Sequence, residues 1–253
     1  MSRPVVLLHG FTGRSQSWDP VRNRLNDGIQ VIAPNLIGHS GIIPDEPKLD
    51  FEQYVERLAI RLKLLGAEGA HLVGYSMGGR VALSLLINHP ELFSSASLIG
   101  VHPGLSKKRE HAERIKLEHG WIQKLRDEGI ESFVEYWEQY PLFESQNQLG
   151  VETLINQRIL RLSQKEEGLM RAIEVLGLSS MPNYELKASE IQVPVEVLVG
   201  EYDHTFQNRG ELLAAMIPQG EMLIIEATGH NVVLERPDVV AQQINSWTSQ
   251  ASS

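Results

Sequence analysis

The 253-residue chain contains no cysteine. That excludes disulfides, thiolate nucleophiles and cysteine-ligated zinc. Positive charge is scarce: 23 Lys and Arg stand against 32 Asp and Glu, for a formal net charge of -9. Nucleic-acid binders carry a basic excess, so no nucleic-acid partner is expected. The same field repels anionic small molecules at long range, and an anionic substrate would need a local arginine cluster to overcome it. No apolar run approaches the length of a membrane span. In the opening stretch MSRPVVLLHGFTG, His9-Gly10-Phe11 falls where a signal peptide would need a small-residue cleavage site, so a cytoplasmic location is expected. There is no repeat and no low-complexity tract, and the tail TSQASS reads as frayed.

What the chain does have is a rhythm. PVVLLHG, IQVIAPN, AHLVGYS, ASLIGVHP, VEVLVGEYD and EMLIIEATGH read as strands buried on both faces. SWDPVRNRLN, FEQYVERLAIRLKLLG, GGRVALSLLINH, RGELLAAMI and PDVVAQQINSW read as the helices between them. Strand–helix alternation predicts an α/β fold, a mostly parallel sheet of about six strands with helices on both faces. From residue 104 to 189 no strand is convincing, and KKREHAERIKLEHGWIQKLRDEG, IESFVEYWEQY, VETLINQRILRLSQ and EEGLMRAIEVLG read as successive helices. The expected organisation is a core of residues 1–103 and 190–253 with an inserted helical lid at 104–189. Ligand sites in such sheets lie at the carboxyl ends of the strands, where the lid would sit. The alternative is a helical extension with no role in binding.

VGYSMGGR (73–80) sets a serine in G-x-S-x-G between a strand and a helix, the pattern of a nucleophile elbow. Gly74 and Gly78 permit a very tight turn, which pushes Ser76 out at the top of the sheet. The plainer reading is a serine that only caps the helix. Serine needs a base, and His230 in EATGHN, after the last strand, is the best placed of nine histidines. His39 and His102 follow other strands and are candidates to line the pocket; His89, at a helix end, reads as structural. The imidazole in turn needs an acid. Asp203 in LVGEYDH is the candidate, with Glu201 as the fallback and helix capping as its alternative role. The order Ser76, Asp203, His230 is that of the α/β-hydrolase fold. An oxyanion hole would use the backbone N–H groups of Met77 and of Phe11 in HGFTG. His9 reads as a residue that pins this loop.

Arg80 follows Ser76 by four residues, one turn along the same helix face. It suits a carboxylate, which a guanidinium grips bidentately, though a surface salt bridge would serve the position equally well. The resemblance becomes specific with LLHGFTG, VGYSMGGRVAL, HPGLSKKREHAER, the WEQYPLF stretch, GEYDHTF and ATGHNVVLERP, which span nearly the whole chain, the lid included. In these the sequence resembles the 2-succinyl-6-hydroxy-2,4-cyclohexadiene-1-carboxylate synthases of menaquinone and phylloquinone biosynthesis.

That resemblance implies a carbon–oxygen lyase. Its members eliminate pyruvate from 2-succinyl-5-enolpyruvyl-6-hydroxy-3-cyclohexene-1-carboxylate, a tricarboxylate, with no metal and no organic cofactor. It implies that Arg80, Arg114 and Arg161 hold carboxylates, with Arg158 the alternative to Arg161, and that Tyr75 and Trp137 contact substrate. Without it, Tyr75 reads as packing, Trp137 as lid core, and Arg114 as a partner of Glu110 or Glu118 on its own helix. Two departures stand out. Relatives often have one or two strands before the HG loop, whereas this sequence starts almost directly in VVLLHG, so a leading hairpin is not expected here; and GHSG (38–41) stands where relatives have a longer pattern, which leaves the role of His39 open. Other readings of the same triad are a carboxylesterase or C–C bond hydrolase, or a small-molecule receptor on a hydrolase scaffold. Nothing in the sequence specifies an oligomeric state.

Overall fold

The computed structural model describes residues 3–39 and 49–249. Six strands form one sheet: β1 (Val5–Leu8), β2 (Val31–Ile32), β3 (Ala70–Tyr75), β4 (Phe93–Ile99), β5 (Val195–Gly200) and β6 (Gly220–Ile225). Their spatial order is β2-β1-β3-β4-β5-β6, and every pair is parallel. The expected parallel sheet is therefore present, and no strand precedes β1 among the described residues. Chain order reverses between β1 and β3, the crevice where open α/β sheets bind ligands.

Side-chain alternation sorts the core into two layers. Val6, Leu8, Leu72, Leu98 and Val197 face one way, against α2 (Phe51–Leu64), α3 (Met77–Asn88) and α7 (His204–Met216). Val5, Leu7, Val73, Ile99 and Leu198 face the other, against Trp18, Val21 of α1 (Asp19–Arg22), Val232 and Val233 of α8 (Val232–Glu235), and α9 (Pro237–Ser249). Burial on both faces holds for β1 and β3, but not for β6, an edge strand whose Ile224 is half exposed. SWDPVRNRLN is less helical than expected: a 3-10 turn at Ser15–Trp18 runs into the single turn of α1. The TSQASS tail is also corrected in part, because Thr248 and Ser249 continue α9, with the Thr248 hydroxyl donating to the Ile244 carbonyl; its last four residues lie outside the described residues.

Between β4 and β5 the chain is helical. α4 (Lys108–Glu138), a 3-10 stretch at Pro141–Gln148, α5 (Val151–Leu162) and α6 (Glu166–Leu176) follow in turn. α4 comprises the two expected helices, which meet at Gly129, where φ is 80°. The kink frees the Ile130 N–H, which donates to Glu166 Oε1 at 3.1 Å. This segment has its own apolar centre of Trp121, Leu125, Phe133, Trp137, Phe143, Leu169 and Ile173, and Phe11 of the β1 loop packs into it.

Candidate active site

Ser76 stands between β3 and α3 with φ 51° and ψ −109°, one of three non-glycine residues with positive φ among those described. The strain persists because the surroundings fix it. Its N–H donates to the Ile99 carbonyl, its carbonyl accepts from the Arg80 N–H, and a Cβ at Gly78 would stand 2.2 Å from the Leu8 carbonyl oxygen. Only glycine lets the first turn of α3 lie this close to the end of β1. Ser76 occupies the cap position, yet its hydroxyl makes no capping bond.

Instead the hydroxyl lies 3.0 Å from His230 Nε2. His230 Nδ1 lies 2.6 Å from Asp203 Oδ2. Asp203 likewise forms no side-chain cap on α7. The fallback acid, Glu201, turns outward and accepts the Ala227 N–H. The structure thus brings Ser76, His230 and Asp203 into one hydrogen-bonded line from the ends of β3, β5 and β6. Phe206 adds a ring 4.5 Å from the imidazole, a neighbour the sequence reading missed although GEYDHTF contains it.

Ser76, His230 and Asp203 border a cavity of about 650 Å³. Phe11 and Met77 line it, and neither backbone N–H donates to another group among the described residues. Arg80 lines it as well, 7% exposed, and forms no ion pair with a described carboxylate. Burial, reinforced by Arg114, pushes its guanidinium down to about 9, which still leaves it charged at neutral pH. Arg114 contributes from α4, over the face of Trp121 at 4.9 Å. Of its two possible partners it takes Glu118, with Nε 2.7 Å from Oε1; Glu110 pairs with Lys107. Trp137 lines the same wall, stacked at 5.7 Å on Tyr140 and edge-on to Phe11 at 5.3 Å.

Arg161 is not in this cavity. It is buried beside a second one, of about 480 Å³, where it donates to Glu138 Oε1 at 3.3 Å and lies 5.5 Å from the Phe143 ring. Burial lowers its pKa, against the opposing pull of Glu138. Arg158 also pairs with Glu138 but is half-exposed. Phe11, Tyr75 and Phe143 border both cavities. Burial, with Glu235 and Asp203 nearby, holds the Tyr75 hydroxyl well above its usual range, so it is a neutral phenol.

The remaining histidines divide clearly. His9 Nε2 accepts the Leu36 N–H and its Nδ1 faces the Gly10 carbonyl, as a loop pin would. His39 does not line either cavity; its Nε2 accepts the Thr12 N–H and its Nδ1 meets the Ile37 carbonyl, so it braces the same loop. Ser40 and Gly41 of the GHSG stretch lie outside the described residues. His102 does line the cavity that Ser76 borders, with Arg209 against Nε2 and the Gly104 N–H on Nδ1. Burial and the cations Arg209, Arg80 and Arg114 push it down to about 3. His89 pairs with Glu56 at 3.1 Å, close to the C-terminus of α3. No group of three or more His, Asp or Glu among the described residues could hold a metal ion.

A strained serine on a strand–helix turn, a base and an acid from later strand ends, and an all-parallel core define a class. The chain belongs to the alpha/beta hydrolase family, whose model matches residues 5–243. Within that class it is 34% identical over 97% of its length, and 90% of the relative's, to a Bacillus subtilis (strain 168) protein provisionally named 2-succinyl-6-hydroxy-2,4-cyclohexadiene-1-carboxylate synthase. A Salmonella heidelberg (strain SL476) protein with that name is 28% identical, covering 95% of this chain and 91% of the relative. Among solved structures, MenH from S. aureus superimposes with a TM-score of 0.92 at 32% identity, over 99% of this chain and 95% of that one. A thermophilic esterase from Thermogutta terrifontis, described as malate bound, reaches 0.85 at 26% identity, over 100% and 92%.

Proposed function

We propose that this protein is a carbon–oxygen lyase that eliminates pyruvate from 2-succinyl-5-enolpyruvyl-6-hydroxy-3-cyclohexene-1-carboxylate, giving 2-succinyl-6-hydroxy-2,4-cyclohexadiene-1-carboxylate on the way to menaquinone or phylloquinone. One observation carries the reading furthest: a hydrogen-bonded Ser–His–Asp line opens on a cavity whose buried Arg80 lacks a carboxylate partner among the described residues. A buried cation in an acidic protein calls for an anionic ligand. The relatives' shared name supplies the product, itself an anion, and the enolpyruvyl substrate follows from it.

In this reading Asp203 fixes the imidazole tautomer and His230 takes the Ser76 proton. Ser76 Oγ then removes a ring C–H proton instead of attacking a carbonyl. The charge that develops is conjugated with the succinyl ketone, whose oxygen accepts from the Phe11 and Met77 N–H groups. The electron pair forms a double bond at the deprotonated carbon, the existing ring double bond shifts one position along, and the C–O bond to the enolpyruvyl group breaks. The enolate of pyruvate departs and takes up the proton held by His230, and the ring proton on Ser76 restores the resting serine. Arg80 and Arg114 receive two of the three carboxylates, Arg161 receives the third from the adjoining cavity across the shared wall of Tyr75 and Phe143, and Tyr75 and Trp137 pack on the substrate. Residues 104–189 act as a lid on the core of 1–103 and 190–253, because Arg114 and Trp137 of that segment line the cavity opposite Ser76. We place the enzyme in the cytoplasm; no helix of the described residues is long and apolar enough to cross a membrane.

Pyruvate release from fresh enolpyruvyl substrate, corrected for spontaneous decay, tests this. Wild type should far exceed background, and Ser76→Ala and Arg80→Ala should not. Brisk Ser76-dependent cleavage of a simple aryl ester without pyruvate release would favour the esterase reading, to which the likeness to the Thermogutta enzyme gives weight.

A further inference from the structure

Besides Asp203, which is paired with His230, one acidic side chain faces a cavity otherwise suited to anions. Glu118 of α4 lines it beside Arg80 and Arg114, and its side chain is 4% exposed. A loose carboxylate there would repel a carboxylate ligand. This one is not loose. Oε1 accepts the Leu178 N–H at 2.7 Å; Oε2 accepts the Ser179 N–H at 3.2 Å and the Ser179 hydroxyl. Those donors belong to the turn after α6, about sixty residues further along the chain, so the carboxylate is fixed from outside its own helix. Gly177 belongs to the arrangement: a Cβ there would stand 2.7 Å from Oε2.

The fourth donor is Arg114, through Nε only. Its two terminal amino groups donate to no other group among the described residues, and the guanidinium is laid over Trp121. An arginine free in solution samples many rotamers, and ordering it on binding costs affinity. Held by one edge and one face, its remaining fork is pre-oriented.

We infer that Glu118 is a positioning residue for the anionic substrate: by taking the Nε edge of Arg114 it presents the two terminal amino groups to a substrate carboxylate. The inference rests on the lyase reading for the identity of the substrate, and on geometry alone for the role. Glu118 does not touch the substrate. It acts through Arg114, so its effect must vanish when Arg114 is absent.

The test compares Glu118→Gln, Arg114→Ala and the double variant in the full chain. KM and kcat are read from pyruvate release, the Kd of succinate from tryptophan fluorescence, and folding from thermal melting. Glu118→Gln should raise KM and the succinate Kd about tenfold with kcat changed far less, as expected for loss of a charge-assisted hydrogen bond that serves binding. Added to Arg114→Ala, it should change neither constant appreciably. An equal effect in both backgrounds, or lower kcat and melting temperature at constant KM, would make Glu118 a structural brace and overturn the inference. If Glu118→Gln fails to fold, Ser179→Ala removes one anchor of the carboxylate and should raise KM in the same direction, by about threefold; an unchanged KM there overturns it too. Wild type that binds succinate but releases no pyruvate would refute the lyase reading alone, and the succinate cycle would still decide the role of Glu118. Wild type that does neither would overturn both.

Discussion

His230 Nδ1 and Asp203 Oδ2 are 2.6 Å apart, and both side chains are at most 2% exposed. A carboxylate so placed holds the proton on Nδ1 and leaves Nε2 as the acceptor facing Ser76. Asp203→Asn keeps the shape and reverses the preference, because an amide can donate to Nδ1. Pyruvate release should fall by roughly three to four orders of magnitude, with the melting temperature nearly unchanged. A loss of less than tenfold would show that the tautomer is not what Asp203 controls.

Arg80 should discriminate between charge and shape. Arg80→Lys keeps the cation and loses the planar fork; Arg80→Ala loses both. We expect KM to rise about tenfold in the first and about a hundredfold in the second. Steady-state kinetics decide it. Full activity in the lysine variant would mean that Arg80 supplies only a point charge.

Acid should destabilise the fold through buried histidines. Burial pushes His9 down to about 4 and His71 down to about 3, and holds His39 well below the usual histidine range. Below pH 6.5 the unfolded chain binds protons that the native state refuses, so stability falls as pH drops from about 6.5 towards 4. Each such histidine contributes up to about 1.4 kcal/mol per pH unit in that window. His71 is remote from the cavities, between the Ser95 and Ser97 hydroxyls at 2.8 and 3.0 Å. Urea unfolding at pH 7 and pH 5 should show a smaller loss for His71→Asn than for wild type. Equal losses would mean that His71 is protonated in the native state.

Phe133 tests the apolar centre of the inserted helices. It is fully buried, 6.1 Å from Phe11 and 5.8 Å from Trp137. Phe133→Ala should cost about 3–5 kcal/mol in unfolding free energy. The cavity left beneath Trp137 should also raise KM. Unchanged denaturant unfolding would refute this.

The strands that the sequence announced clearly were the central ones, where β-branched runs are buried on both faces. At the edge the same pattern misled, since β6 leaves Ile224 half exposed. The elbow was legible because it is local: Gly74, Ser76, Gly78 and Arg80 lie within seven residues. The mutual placement of Ser76, Asp203 and His230 needed only the rule that strand ends share an edge. What the sequence hid depends on distant partners. Glu118 was legible as a possible neighbour of Arg114 one turn away, but its fixation by Leu178 and Ser179 was not. Arg161 gave no sign of a separate cavity, because Glu138 and Phe143, which accompany it there, come from other elements. His39 followed a strand, as pocket histidines do, yet a backbone N–H from Thr12 claims it.

The bond between Ser76 and His230 joins residues 154 positions apart. A ribosome adding about 5–20 residues per second takes roughly eight to thirty seconds to cross that interval. Throughout it the elbow is already synthesised but has no base, because His230 follows both β5 and β6 in the chain. A hydroxyl without its imidazole is a poor nucleophile and a poor base. The growing chain therefore carries its most reactive group in an inert form, and reactivity arrives only when the last strand has docked. A chain truncated between the elbow and His230 keeps the serine and lacks the imidazole that would activate it.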